Sequence, residues 1–321
     1  MPGLGCREVA TPDDFAGAED PEELKRRVRA HWDREPCGTR GLRGDDLREA
    51  FRQQERERYR VDVHIPAFAD FASARGLKVL EIGVGAGTDF IQWLRQGAEA
   101  WGIDLSAESL ALTRERLSAE AAGEGTLAKP IAEFLELLAA AEGDEREDPK
   151  MRRLQVADAE NLPFADETFD LVYSYGVIHH SPNTAAAVAE IFRVLRPGGE
   201  ARVMIYHVPS WTGFLLWGVH SLGRLRPWVG PRRAIYQHLE SPGTKAYTLA
   251  EARELFACFA RVEVDTALLA GDLLAMRPSA RYQGPLFRAL WRLYPRGLIR
   301  RLGRRLGLGL LVRATKGAAG S

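Results

Sequence analysis

The chain has 321 residues, of which 45% are apolar and 27% charged, with 44 basic against 44 acidic side chains. That length supports one large or two small domains with a substantial core, and the composition is that of an ordinary globular protein. Total charge points to no polyanionic or polycationic partner, and no stretch reaches the roughly 18 apolar residues of a membrane span.

Cys6, Cys37 and Cys258 form neither a disulfide framework nor a zinc motif, and they fit a reducing, cytoplasmic compartment. The start, "MPGLGCREVATPDDF", lacks the basic-then-apolar pattern of a secretory leader. The balance of charge conceals an asymmetry. From His207 to Ser321 there are eighteen basic and six acidic residues, a net of +12, and none is acidic after Asp272.

Residues 21–36 read as a helix, with Pro21 in its first turn, acids leading and bases following. Residues 44–60 form a second, highly charged helix, and 64–76 a third that ends at Gly76. "LKVLEIG" (77–83) is a nearly continuous apolar run, the pattern of a strand covered on both faces. A glycine loop follows, then a helix over 88–97, a strand in "AEAWGIDLS" (98–106) and a helix opened by Ser106.

Residues 121–150 interrupt the alternation with a short helix, "IAEFLELLAAA" (131–141), and a charged run that reads as the flexible end of a surface insertion. Strands then fall at 151–159 and 169–176, a helix at 183–195 stopped by "RPGG", and a strand at 200–208. Strands alternating with amphipathic helices predict an α/β layer with a parallel sheet. Such sheets bind ligands at the carboxyl ends of their strands, where the glycine loop, Asp104, Asp158 and Tyr175 all fall.

The loop reads Gly83-x-Gly85-x-Gly87-Thr88. A dinucleotide fingerprint requires glycine where Thr88 stands, and a P-loop requires a Gly-Lys-Ser/Thr ending, so neither pyrophosphate signature is met. Two readings stay open: close approach of backbone to a ligand, or a tight strand-to-helix turn. Asp104, seventeen residues after Gly87, can accept hydrogen bonds from a ribose diol, or serve as an acid at a helix start. Asp158 can take an adenine amino group or close an Asx turn.

Taken together, "VLEIGVGAGTDF", "GIDLS", "DAENLPFADETFDLVYSYGVIHH" and "EIFRVLRPGGEARVMIY" resemble class I S-adenosylmethionine-dependent methyltransferases. The resemblance is closest to the small-molecule group that includes ubiquinone/menaquinone-type enzymes, and it covers roughly residues 77–206. It implies a Rossmann-like, seven-stranded, mostly parallel sheet with helices on both faces, the last strands coming from "FARVEVDTAL" and "GLGLLVRATK". An N-terminal helical lid segment (1–76), a methyltransferase core (77–206) and a substrate-side cap with the final strands (207–321) follow from it.

By position, the resemblance sets Glu81 and the backbone of Gly83, Gly85 and Gly87 at the methionine portion of S-adenosylmethionine, the methyl donor. Asp104 would hold the ribose, Leu105 would pack on adenine, Asp158 and Ala159 would meet the adenine edge, and Tyr175 would lie near the sulfonium. Such a ligand has no phosphate, which makes the third Rossmann glycine dispensable. Trp32, Arg40 and Tyr59 are the lid candidates, with ordinary helical packing as the alternative.

Methyl transfer from a sulfonium is an in-line displacement, so a general base is needed only where the acceptor carries a proton. His179 and His180, with Tyr175, are the catalytic candidates. The histidines equally read as a structural pair whose adjacent side chains diverge, and no metal-ligand spacing accompanies them. The 208–259 insertion, rich in tryptophan and tyrosine, can line an apolar substrate pocket or form a helical cap with its own small core.

The tail 281–307 sets Leu286, Leu290 and Leu293/Tyr294 against Arg288, Arg292, Arg296, Arg300, Arg301, Arg304 and Arg305, with Pro295 dividing the helix. It reads as a basic amphipathic element for an anionic membrane at the inner membrane face, as a solvated face packed on the domain, or as a partner of the acidic remainder. No RNA module is recognisable, so a small-molecule acceptor, apolar or membrane-associated, is expected, and nucleic acid is not. A noncatalytic nucleoside-binding or membrane-associated module on the same fold is the alternative.

Overall fold

The computed structural model describes residues 20–36, 39, 42, 46–123, 126–143, 152–239, 241, 243–275 and 291–318. Seven strands form one sheet: β1 (Lys78–Ile82), β2 (Glu99–Asp104), β3 (Leu154–Val156), β4 (Phe169–Tyr175), β5 (Leu195–Tyr206), β6 (Arg261–Ala267) and β7 (Gly309–Thr315). Their order is β3-β2-β1-β4-β5-β7-β6. β1 pairs in parallel with β2 and β4, while β7 runs antiparallel between β5 and β6. The chain reverses strand order on either side of β1 and β4, and the crevice at that switch lies at the strands' carboxyl ends.

Side chains alternate between two cores, as period-2 strands between helical layers require. Val79 and Tyr173 face one core with α4 (Phe90–Gln96), α5 (Ala107–Ala121) and α6 (Ala128–Gly143). Leu80, Ile82 and Val172 face the other with α7 (Thr184–Val194) and α10 (Leu249–Leu255). The remaining helices are α1 (Pro21–Arg34), α2 (Leu47–Val61), α3 (Ile65–Ala69), α8 (Trp211–His220), α9 (Pro231–His238) and α11 (Arg296–Leu302).

Local signals explain several boundaries. Asp20 accepts a bond from the Glu22 amide at the start of α1, where Pro21 occupies the first helical position. Ser106 caps α5 through the Ser109 amide at 3.1 Å. Gly97, at φ 82°, closes α4.

Four expectations are corrected. The third helix breaks at Asp70, whose φ of 46° is left-handed, leaving α3 and a 3₁₀ turn over Phe71–Ala74. "RPGG" does not lie outside the sheet: β5 starts at Leu195, and a register shift between Phe169 and Leu171 absorbs the irregular residues. The insertion helix is longer than 131–141, and one face of it joins the core: Ile131, Phe134 and Leu138 are buried, with Phe134 edge-on to Phe90 at 5.6 Å, while Glu133, Glu136 and Leu137 face solvent. Cys258 is disulfide-bonded, contrary to the reading of unpaired cysteines. The charged run 144–150 lies outside the described residues.

The described part of the basic tail, from residue 291, packs on the domain. Pro295 caps α11 and Ile299 is buried. The Tyr294 hydroxyl donates to the Asp272 carbonyl at 2.8 Å, and the Trp211 indole donates to the Gly303 carbonyl at 3.1 Å. Arg292, Arg300, Arg301, Arg304 and Arg305 are exposed, whereas Leu286, Arg288 and Leu290 lie outside the described residues. No helix among the described residues is long and apolar enough to cross a membrane.

Candidate functional site

The glycine loop leaves β1 and is stitched to β2. Gly83 and Val84 donate their amides to the Ile103 carbonyl at 2.7 and 3.2 Å. At Gly83, φ is 80° and an added Cβ would lie 2.2 Å from a Val177 methyl carbon, so both backbone and space demand glycine. Gly83→Ala is expected to cost about 3 kcal/mol, combining left-handed strain with overpacking. Urea unfolding should show Gly83→Ala/Val177→Ala recovering the steric part only; no loss in the single variant would refute the close approach.

Asp104 ends β2 and reaches back to this loop. Its carboxylate accepts from the Gly85 amide and from the Ser106 amide, each at 2.9 Å. The Thr113 hydroxyl of α5 fixes the loop from the other side, donating to the Gly85 carbonyl at 2.8 Å. Burial pushes the Asp104 pKa up to about 6 despite these amide donors. A carboxylate has about four acceptor positions, so this one keeps capacity for two further donors.

Asp104 lines an open cleft of about 800 Å³, mouth included, together with Gly83, Gly85, Leu105, Asp158, Ala159, Tyr175 and His180. Eight of the eleven expected site residues therefore converge on one cavity. Glu81, Gly87 and His179 are not in its lining. Glu81 is buried and accepts from the Trp93 indole at 2.7 Å; burial and the neighbouring Asp89 charge hold its carboxyl well above the usual range.

Tyr175 shares a 2.7 Å hydrogen bond with His64, and the Arg58 guanidinium lies 5.3 Å from its ring centre. Burial raises the Tyr175 pKa well above that of a free phenol, so the hydroxyl stays protonated. Burial, with the Arg58 and Arg304 charges, lowers His64 to about 4.

The adjacent histidines do not diverge. A 3₁₀ turn over Ile178–His180 brings their rings to 4.2 Å, and His179 also lies 4.0 Å from the Tyr206 ring. His180 Nδ1 is 2.8 Å from the Ser241 hydroxyl and 3.1 Å from that of Thr244. Burial lowers His180 to about 3, with the charges of His31 and Lys245 adding to it, and burial with the neighbouring His180 and Lys245 also holds His179 well below its ordinary value. Both rings are neutral at physiological pH.

Sequence reasoning missed Lys25. It lines the cleft from α1 with Val28 and Trp32, the i, i+3, i+7 spacing of one helix face, which was the available signal. Its ammonium lies 2.7 Å from Asp158 and 3.0 Å from Glu160. Burial opposes the charge, but the hydrogen bonds to both carboxylates outweigh it and hold the lysine pKa above its ordinary value.

Of the other lid candidates, Tyr59 anchors rather than lines. Its hydroxyl donates to Asp89 at 2.9 Å, and Asp89 also accepts from Arg58 at 2.6 and 3.1 Å and from Tyr173 at 3.1 Å. Arg40 lies outside the described residues.

The strand order, the antiparallel β7, the glycine loop after β1 and the acid ending β2 define a class I methyltransferase fold. Residues 80–203 match the family described as a methyltransferase domain, and the chain carries an S-adenosylmethionine-dependent domain of that kind. It is 31% identical over 162 residues to a phosphatidylethanolamine N-methyltransferase of Cereibacter sphaeroides, covering 50% of this chain and 66% of that one. It is also 31% identical over 124 residues to a malonyl-[acyl-carrier protein] O-methyltransferase of Pectobacterium atrosepticum, covering 39% and 36%. The chain thus spans less than two thirds of either relative's length. A Haemonchus contortus phospholethanolamine N-methyltransferase 2, solved with phosphomonomethylethanolamine and S-adenosylhomocysteine, shares the fold at a TM-score of 0.51 and 18% identity, over 90% of this chain and 60% of that one.

The residues present fit the family's methyl donor, S-adenosylmethionine. The cradle at Gly83 admits no side chain, and the loop amide of Gly85 that could have received a phosphate is taken by Asp104. A carboxylate there suits ribose hydroxyl donors, and it is Thr88, standing where a dinucleotide fingerprint needs its third glycine, that argues against a nicotinamide dinucleotide.

Proposed function

We propose that the chain transfers the methyl group of S-adenosylmethionine to a small-molecule acceptor with an apolar portion. The observation that carries this reading is Asp104: a half-buried carboxylate, fixed by two backbone amides, on the wall of a cleft roofed by α1. Bound there, the sulfonium supplies an electrophilic methyl group with a neutral thioether as leaving group.

The chain's own residues align and exclude water. Asp104 accepts the two ribose hydroxyls, Leu105 covers the adenine, and Asp158 with Ala159 meets its edge. Tyr175, oriented by His64, borders the reacting end. Trp32 and Val28 on α1, with Val177, supply an apolar wall that favours an acceptor with hydrocarbon character. His180, neutral and held by Ser241 and Thr244, orients the acceptor rather than storing a proton.

Isothermal titration with S-adenosylhomocysteine, followed by a labelled-methyl screen of small apolar acceptors, tests this. Binding without transfer to any acceptor would favour a noncatalytic module, and no binding would remove the reading. Acid should weaken binding in a defined direction. The ligand's hydroxyls require the ionised Asp104, whose carboxyl titrates near 6. The dissociation constant should therefore be flat above pH 7 and rise about tenfold between pH 6.5 and pH 5. Asp104→Asn should abolish the slope; an unchanged slope would assign it to another group.

A further inference from the structure

We propose that the turn Leu222–Trp228 seats the protein on an anionic lipid bilayer, with the cofactor-binding edge of the sheet toward the lipid. This deepens the reading of an apolar acceptor and rests on it only for the orientation of the cleft.

The turn is a built feature. The Ser221 carbonyl accepts from the amides of Arg224 and Arg226 at 3.1 and 2.8 Å, and the Trp217 indole donates to the Pro227 carbonyl at 3.3 Å. On this frame Leu225 is 83% exposed, Trp228 77% and Leu222 48%. Large apolar side chains so displayed on an ordered turn mark an interaction surface. Tryptophan with leucine is the pair that partitions into the interfacial layer of a bilayer.

Charge decides between a membrane and a purely apolar partner. Arg224 and Arg226 alternate with the apolar residues and are exposed, and no acidic residue occurs from Ser221 to Leu239. Alternating guanidinium groups suit a surface of lipid phosphates, which attracts basic residues near the membrane.

Topology places this turn on the functional side. β4 and β5 end at Tyr175 and Tyr206, and α8 leaves the sheet from that same edge toward the turn. β7 starts opposite Tyr206, so α11, just before it, belongs to this edge too. α11 and the residues preceding it add exposed Leu293, Leu298, Arg300 and Arg301. A lipid-borne acceptor would therefore meet the protein on the side where the cleft opens.

Co-sedimentation of the full chain with phosphatidylcholine vesicles, with and without phosphatidylserine, tests the proposal. The parent should bind the phosphatidylserine vesicles at low salt. Leu225→Ser/Trp228→Ser should weaken that binding about tenfold or more. Arg224→Glu/Arg226→Glu should remove the preference for phosphatidylserine. Both variants should bind S-adenosylhomocysteine like the parent, which verifies their fold. A parent that ignores both vesicles, or variants that bind as it does, would overturn the proposal. So would concentration-dependent dimerisation lost in the Leu225/Trp228 variant, which would assign the surface to a second copy. Vesicle binding by a parent that does not bind S-adenosylhomocysteine would sustain the docking surface while removing the methyl-transfer reading.

Discussion

Asp104→Ala is expected to weaken S-adenosylhomocysteine binding about a hundredfold or more. The carboxylate would receive two ribose hydroxyls, and hydrogen bonds to a charged group contribute about 1.5–3 kcal/mol each. The lower bound, about 3 kcal/mol for the pair, is already two orders of magnitude in affinity. Water admitted to a shortened side chain restores little, because the Gly85 and Ser106 amides that orient the group would lose their acceptor. Calorimetry measures the loss directly.

Stability separates this effect from unfolding. The Asp104 pKa is raised in the folded state, from 3.8 to about 6. The folded protein therefore holds its proton more tightly than the unfolded chain, and this group's contribution to stability falls as pH rises from about 4 to 6. Asp104→Asn removes that cost. It also turns one acceptor into a donor facing the Gly85 or Ser106 amide, at about 1–3 kcal/mol, so at pH 7 it should remain folded with a modest loss of stability while binding S-adenosylhomocysteine at least tenfold more weakly. Parent-like affinity in both variants would contradict the assignment of Asp104 to the ribose.

Asp89→Ala should produce the largest stability loss, about 3–5 kcal/mol. The carboxylate is buried and receives Arg58 and Tyr59 from α2 and Tyr173 from β4, so its removal strands three donors at once. Burial holds the Tyr173 phenol protonated, and it has no water to turn to. Denaturant unfolding measures the cost. Combined with Arg58→Ala, the losses should fall well short of additive, because either change breaks the same pair. A loss below about 1 kcal/mol for Asp89→Ala would show that α2 is held by its other contacts instead, the Arg52–Glu120 and Glu55–Arg95 ion pairs and apolar packing.

The same network explains what α2 does for the cleft. Arg58 bridges Asp89 and the ring of Tyr175, and the Tyr175 hydroxyl meets His64 just beyond α2. Helix attachment and orientation of the tyrosine are therefore one arrangement. α1 is attached differently, through Lys25 to Asp158 and Glu160 at the opposite wall. The two N-terminal helices thus grip the cleft from separate sides, each through an ion pair with one partner on the methyltransferase core.

The site elements legible in the sequence are those whose signals are local. A strand, a glycine loop and a helix start lie within twelve residues of each other at 79–90, and positive φ at Gly83 is a property of that short segment. Asp104 and Asp158 follow from strand ends, because a carboxylate at a strand's carboxyl edge is where such sheets bind ligands. The sequence alone also determined the alternation that makes the sheet parallel and the interruption of the basic tail at Pro295. Tertiary structure alone decided the partners. Lys25 meets Asp158 across 133 residues of chain, and Asp62 of the lid segment accepts from the Ala270 amide across 208. Such pairs leave no periodicity to read, since they depend on how finished helices dock on a finished sheet. The same holds for the start of β5 and for α6: the helix does stop before "RPGG", but Leu195 already pairs with Phe169 of β4, and α6, read as a surface excursion, packs one face against α4.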